Sequence, residues 1–228
     1  MSDSFNDASS AVILLSGGLD STVALAKTLE QMPVSLALMV DYGQRALAPE
    51  LRASKAIAQH YNVAYKMIEL PWLAECLPKA LDGAQPQTQE DWNSTQDPIA
   101  NTHRVWVPNR NGVFLNIAAS FAEALGASHI VFGANATEGE TFPDNSVAFI
   151  EALNQSLSYS TLSKLQVLAP VATLTKAQMV TYARAHNVPL HLIWSCYEAG
   201  PEPCHQCPSC QLLGAALATY TETSACSR

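Results

Sequence analysis

Apolar and polar positions alternate along the chain in two rhythms. Ala11–Leu15 and Val34–Val40 are short, almost wholly apolar runs with β-branched members, the pattern of strands buried on both faces. Between them, Val23, Leu25, Ala26 and Leu29 recur at helical spacing until Pro33 intervenes, so the pattern opens as a strand, helix, strand unit. The same alternation predicts helix over 46–60, strand over 65–70, helix over 113–125 stopped by Gly126, and strand over 129–132. A helix from about Phe149 to Lys164, a brief strand over 167–169 and a helix over 175–186, capped by Thr173 or Thr175, complete it. Such alternation predicts a parallel sheet with helices on both faces, joined by right-handed crossovers, and ligands at the carboxyl ends of the strands.

Two stretches break the rhythm. Pro71 to Pro108 is rich in Gln, Asp, Pro, Asn and Thr, most polar over Gln85–Asp97, and reads as a mobile loop or lid. Residues 1–10 read as a flexible N-terminus, 11–190 as the α/β domain and 191–228 as a metal-binding appendage. At 228 residues, the chain has room for one ordinary domain with such an addition.

The polar joints carry the candidate chemistry. Ser16-Gly17-Gly18-Leu19-Asp20-Ser21 lies between the first strand and first helix, where backbone N–H groups and the helix dipole converge on an anion. Its glycines allow backbone to approach phosphate, its serines offer hydroxyl donors, and Asp20 is placed to hold Mg2+ or to cap loop N–H groups. The bland alternative is a glycine-rich turn. A Walker A lysine and a Gly-x-Gly-x-x-Gly signature are both lacking, which disfavours P-loop and dinucleotide readings. Tyr42, Gln44 and Arg45 follow the second strand onto the same rim, as nucleotide or substrate ligands or as a polar turn. Arg110 and Asn111 start a helix, with Arg110 suited to bidentate contact with phosphate or carboxylate, or to a simple capping turn. Lys176 is a phosphate ligand or a solvated lysine; Gly133 and Asn135 follow a strand end.

Four of six cysteines, Cys196, Cys204, Cys207 and Cys210, crowd into fifteen residues, enough thiolates to close a tetrahedral structural Zn2+ site. Disulfides and an iron–sulfur cluster are the alternatives. The net charge of −8 works against nucleic acid or anionic lipid as a partner and favours a small-molecule substrate. No membrane-spanning run and no secretory leader pattern are present, so a cytoplasmic protein is expected.

The Ser16–Ser21 segment resembles the pyrophosphate loop of the N-type ATP pyrophosphatase group. Together with Tyr42-Gly43-Gln44-Arg45, Val107-Pro108-x-Arg110-Asn111, Phe142-Pro143-Asp144, Trp194-Ser195-Cys196-Tyr197 and the terminal cysteines, it is similar to the 7-cyano-7-deazaguanine synthase family. The resemblance implies a Rossmann-like, adenine nucleotide alpha hydrolase-like sheet with a small C-terminal zinc-binding helical subdomain, and a homodimer. It implies ATP-dependent conversion of 7-carboxy-7-deazaguanine and ammonia to the nitrile through adenylated intermediates. Ser16, Gly17, Gly18, Leu19, Asp20 and Ser21 would then hold phosphates and Mg2+, with Tyr42, Gln44, Arg45, Arg110 and Asn111 also at the nucleotide. Ser16, Asp20, Arg110 and Lys176 would carry catalysis, and Gly133, Asn135, Phe142, Pro143 and Asp144 would border the base. Two positions depart from many family members, which have Gly at Asn109 and Cys-Arg at Asn145-Ser146. A ligase stopping at an amide with another amine, a tRNA-thiolating enzyme and a non-enzymatic zinc-ribbon module are the rival readings.

Overall fold

A computed structural model describes residues 9–77 and 106–225. Five strands, β1 (Ala11–Leu14), β2 (Val34–Asp41), β3 (Tyr65–Glu69), β4 (His129–Val131) and β5 (Gln166–Leu168), form one sheet in the order β3-β2-β1-β4-β5. Every pairing is parallel. The chain adds strands on one side of β1 and then returns to pair β4 on the other. The order therefore reverses between β1 and β4, and a crevice opens beyond the carboxyl ends of those two strands.

The wholly apolar composition of β1 follows from covering on both faces: Ala11, Val12 and Ile13 are each 0% exposed. Ala11, Ile13 and Leu15 pack with α1 (Leu19–Leu29), α2 (Leu47–His60), α7 (Lys176–Ala185) and Ala216 of α8 (Pro208–Ala225). Val12 faces the other way, with Leu38, Ile130 and Val167, onto α4 (Arg110–Ala124) and α6 (Val147–Ser160). A smaller cluster of Val40, Leu70, Leu73 and Val107 closes the carboxyl end near β2, beside the short α3 (Pro71–Ala74). Burying one such aliphatic side chain contributes about 1.5–3 kcal/mol, so the layers are held by many small terms.

The predicted rhythm matches the observed elements, with ends displaced by a few residues. The Phe149 helix stops at Ser160, because the Glu123 carboxylate captures the N–H groups of Leu162 (2.5 Å) and Ser163 (3.0 Å) and turns the chain. Helices α3 and α5 (Ala136–Thr141) carry no clear periodic signal, and α8 lies in the C-terminal segment that the family resemblance implies is helical. Of the loop or lid read over Pro71–Pro108, residues 78–105 fall outside the described residues, as does most of the 1–10 tail, while the start of that loop is the helix α3, with Leu73 packed in the small cluster. Among the described residues, no helix is long and apolar enough to cross a membrane.

Candidate active site

The Ser16–Ser21 loop occupies the crevice end of β1. Gly17 has φ +85°, and a Cβ there would lie 2.8 Å from both Ala53 Cβ and the Ser54 backbone nitrogen, so α2 packs where a side chain would stand. Gly18 is the N-cap of α1 with extended backbone and no side-chain cap. The first N–H groups of α1 thus look elsewhere: Gly18 N–H donates to Ser16 Oγ and Leu19 N–H to Ser195 Oγ, each at 3.4 Å. Ser16 and Ser21 hydroxyls lie 3.2 Å apart. A helix N-terminus, two hydroxyls and bare glycine backbone converge here, the arrangement that binds a phosphate anion.

Behind the loop stands a partly buried charge cluster. Lys176 Nζ donates to Asp20 Oδ2 at 2.5 Å and to Glu138 at 3.4 Å, while Asn135 Nδ2 donates to Asp20 Oδ2 at 3.0 Å. Lys176 is fixed by local sequence: Thr175 caps α7 through a complete capping box with Gln178. Asn135, 1% exposed, serves twice, since its Oδ1 also accepts the Glu138 N–H and caps α5. Burial pushes the Asp20 carboxyl up against the attraction of Lys176. For Lys176, Asp20 and Glu138 together outweigh burial and hold the ammonium charged. Asp20 Oδ1 is buried with no hydrogen-bond partner among the described residues, so a hard cation fits beside it. Among the described residues, Asp20 bonds Lys176 and Asn135 and not a loop N–H.

The segment after β2 is folded largely upon itself. Gln44 Nε2 donates to Val40 O (2.9 Å) and Glu50 Oε2 (3.1 Å), and its Oε1 accepts the Tyr42 N–H (2.9 Å). Arg45 pairs with Glu198 at the surface. Arg110 Nη1 donates to the Tyr42 hydroxyl at 3.4 Å, and its guanidinium stands 5.9 Å from the Tyr42 ring centre. Burial raises Glu50 to about 7, against the Gln44 amide and Arg110.

Beyond Arg110, a cavity of about 510 Å³ is lined by Trp106, Asn109, Pro143, Asp144, Ser146 and Phe149. Trp106 lies nearly parallel to Phe142, ring centres 6.3 Å apart. Asn111 Nδ2 donates to the Asp144 carbonyl at 3.2 Å and anchors the turn carrying Asp144. Burial pushes the Asp144 carboxyl up and Arg110 opposes it. Of the residues read as bordering a base, Pro143 and Asp144 line this cavity and Phe142 stacks on its wall. Gly133 and Asn135 stand beside the Ser16–Ser21 loop, Gly133 against the Ser21 backbone and Asn135 on Asp20. A Cβ at Gly133 would lie 2.7 Å from the Ser21 nitrogen, so this glycine lets β4 close against the first turn of α1.

Both departures from the family pattern have local explanations. Asn109 has φ +54°, the left-handed conformation that Gly and Asn adopt most easily, and Gly112 leaves room for its side chain. Ser146 caps α6, accepting the Phe149 N–H at 3.1 Å and donating to Pro143 O at 2.7 Å. Asn145 Nδ2 lies 3.3 Å from Asp144 Oδ1.

Cys196, Cys204, Cys207 and Cys210 place their sulfurs within 4.8 Å of one another, and Cys196 and Cys207 are buried. Tetrahedral Zn2+ separates its sulfurs by about 3.8 Å, so the set fits a metal ion. Backbone N–H groups of Glu198 and Cys204 point at Cys196 Sγ (3.4 and 3.3 Å), as they do around metal-bound thiolates. His205, at φ +58°, forms the turn and stands outside the four-ligand set. Glu50, Glu138, Trp106 and Phe149 are not singled out by the sequence as site residues, and Ser195 enters only within the Trp194–Tyr197 motif, with no role of its own. Asn135-x-x-Glu138, a capping signature, would have revealed Glu138; the others carry no local signal.

A family model described as queuosine biosynthesis protein QueC matches residues 10–221. The 7-cyano-7-deazaguanine synthase of Desulforudis audaxviator is 44% identical over 89% of this chain and 93% of its own length. Its namesake in Methanosarcina mazei is 42% identical over 88% of this chain and 90% of its own. A 4-thiouridine synthetase, solved as an RNA complex with bound ATP, shares the fold at a TM-score of 0.51 and 15% identity, over 94% of this chain and 51% of that one. With the loop at the sheet crossover and the cysteine set in place, these matches make the chain a member of the QueC, 7-cyano-7-deazaguanine synthase family.

Proposed function

We propose that the protein converts 7-carboxy-7-deazaguanine and ammonia to 7-cyano-7-deazaguanine, consuming ATP in two adenylations that each release pyrophosphate. The observation that carries this reading is the shared rim. The Ser16–Ser21 loop and the Asp20–Lys176 pair lie beside a cavity bearing Asp144, in a chain that matches such synthases over nearly its whole length. A substrate carboxylate oxygen attacks the α-phosphate of ATP and expels pyrophosphate into the loop. Ammonia then displaces AMP and leaves the amide. Attack by the amide oxygen on a second ATP forms an adenylated imidate, which loses AMP and a proton to give the nitrile.

The chain's own groups act mainly by position and charge. Ser16 and Ser21 hydroxyls and the first N–H groups of α1 receive the β- and γ-phosphates. Lys176 and Arg110 offset charge developing on the transferring phosphoryl group, Lys176 kept protonated by its two carboxylate neighbours. Asp144 presents an acceptor to the donor edge of the base against Trp106. Asp20 Oδ1 would hold a Mg2+ ion, which would supply further charge neutralisation. The four cysteines hold Zn2+ as a structural ion, and residues 11–190 and 191–228 form the catalytic and metal-binding parts.

Incubation with ATP, Mg2+, ammonia and 7-carboxy-7-deazaguanine, followed by mass analysis of the base, tests the assignment. Nitrile with AMP and pyrophosphate is the expected result. Amide as the only product would sink the nitrile-forming assignment. The two sequence relatives named above both carry the 7-cyano-7-deazaguanine synthase name and do not favour the amide-forming or thiolating alternatives.

A further inference from the structure

Trp194 and Ser195 immediately precede the first cysteine of the metal set and cross directly over the Ser16–Ser21 loop. Trp194 N–H donates to Gly17 O at 2.8 Å, a bond between backbones 177 positions apart in sequence. Ser195 Oγ accepts the Leu19 N–H, and a Cβ built on Gly18 would meet Trp194 O at 3.7 Å and Ser195 Oγ at 3.9 Å. On the far side of Cys196, Glu198 pairs with Arg45 of the adjoining rim. The indole N–H of Trp194 is itself buried without a partner among the described residues. The start of the cysteine segment is therefore tied to the loop and to the adjoining rim, and it places a hydroxyl at the mouth of α1.

We propose that Ser195 is a working member of the pyrophosphate cradle, a hydroxyl supplied by the cysteine segment that complements Ser16 and Ser21. This rests on reading the loop as a pyrophosphate site. The Leu19 N–H to Ser195 bond is 3.4 Å long, well beyond the 2.9–3.0 Å of a strong N–H···O bond, and so is readily exchanged. A phosphate oxygen arriving at the α1 N-terminus takes the Leu19 N–H as a charge-assisted bond. Ser195, relieved of its role as acceptor, turns its O–H to donate to the same anion. The α1 N-cap is glycine and offers no hydroxyl of its own, so a residue from elsewhere in the fold completes the donor set. The metal set thereby acquires a catalytic consequence, since holding Cys196 in place also holds Ser195.

Calorimetric titration of the full-length protein with inorganic pyrophosphate and, separately, with AMP tests this. Ser195→Ala should weaken pyrophosphate binding about ten- to hundredfold, the worth of one hydrogen bond to a charged group. AMP affinity and the unliganded melting temperature should stay near the parent's, and Ser195→Thr should restore most pyrophosphate affinity. In turnover, KM for ATP should rise more than kcat falls. Should the alanine chain unfold, Ser195→Gly supplies the same comparison. Parental pyrophosphate affinity in the hydroxyl-less variants would overturn the proposal and leave the loop assignment standing. A parent protein that neither binds pyrophosphate nor cleaves ATP would overturn the loop assignment and this proposal together.

Discussion

The strand-end rim and the cysteine segment both position polar groups, and they do so by opposite means. On the rim, regular elements set the geometry: β1 delivers Ser16, the α7 capping box fixes Lys176, and Asn135 caps α5 while holding Asp20. Between Ala185 and Pro208, by contrast, the chain has only one 3-10 turn, Leu190–Leu192, and its order depends on four sulfurs meeting. A packed lattice spreads its stability over dozens of apolar contacts. A cross-linked segment concentrates it at one point.

The sharpest way to break that contrast is at the metal set. Cys207→Ser should lose bound metal and about 4 kcal/mol of stability, a fall of roughly 10 °C or more in melting temperature. Metal analysis with a thermal scan reads both. On the rim, Lys176→Ala should leave the melting temperature less affected, by about 3 kcal/mol, because it unpairs the buried Asp20. The same change should lower kcat by about 10²–10³-fold in a pyrophosphate-release assay. Gly133→Ala should lower stability by about 2 kcal/mol and raise KM for ATP, since its methyl must displace the first-turn backbone of α1.

Smaller effects sharpen the picture. The folded protein keeps the Glu50 proton up to about pH 7, whereas a free glutamate gives it up near 4.5. Between those values the folded state binds more protons than the unfolded one, so Glu50 makes stability fall as pH rises. Glu50→Gln should therefore match the parent at pH 4.5 and exceed it by about 1–2 kcal/mol at pH 8 in denaturant titrations. Least of all, Arg45→Ala should change stability by under about 1 kcal/mol, because the pair with Glu198 is more than a third exposed on both sides.

Much of this was legible one residue at a time. The loop could be read because its glycines, serines and aspartate are contiguous and flanked by two unmistakable periods. Asn109 and Ser146 departed from the family pattern yet keep the backbone roles of their positions, a left-handed turn and a helix cap. Lys176 was open between ligand and surface residue until the fold set it against Asp20, 156 positions away. Gly133 and Asn135 were read correctly as lying at a strand end, while the side of the crevice they serve depended on β4 pairing beside β1.

The amino-acid sequence by itself determined the elements, the parallel α/β class, the Gly- and Ser-rich turn after β1 and the cysteine set, because each is encoded in periodicity or in spacing shorter than a helix. Tertiary structure alone decided which polar groups meet: Asp20 with Lys176 and Asn135, Gln44 with Glu50, and Ser195 with the α1 N-terminus. Those meetings follow from strand order and from crossovers that carry the chain over a hundred residues away and back. Local hydrophobic pattern does not record that path, since either edge of the sheet would bury β4 equally well.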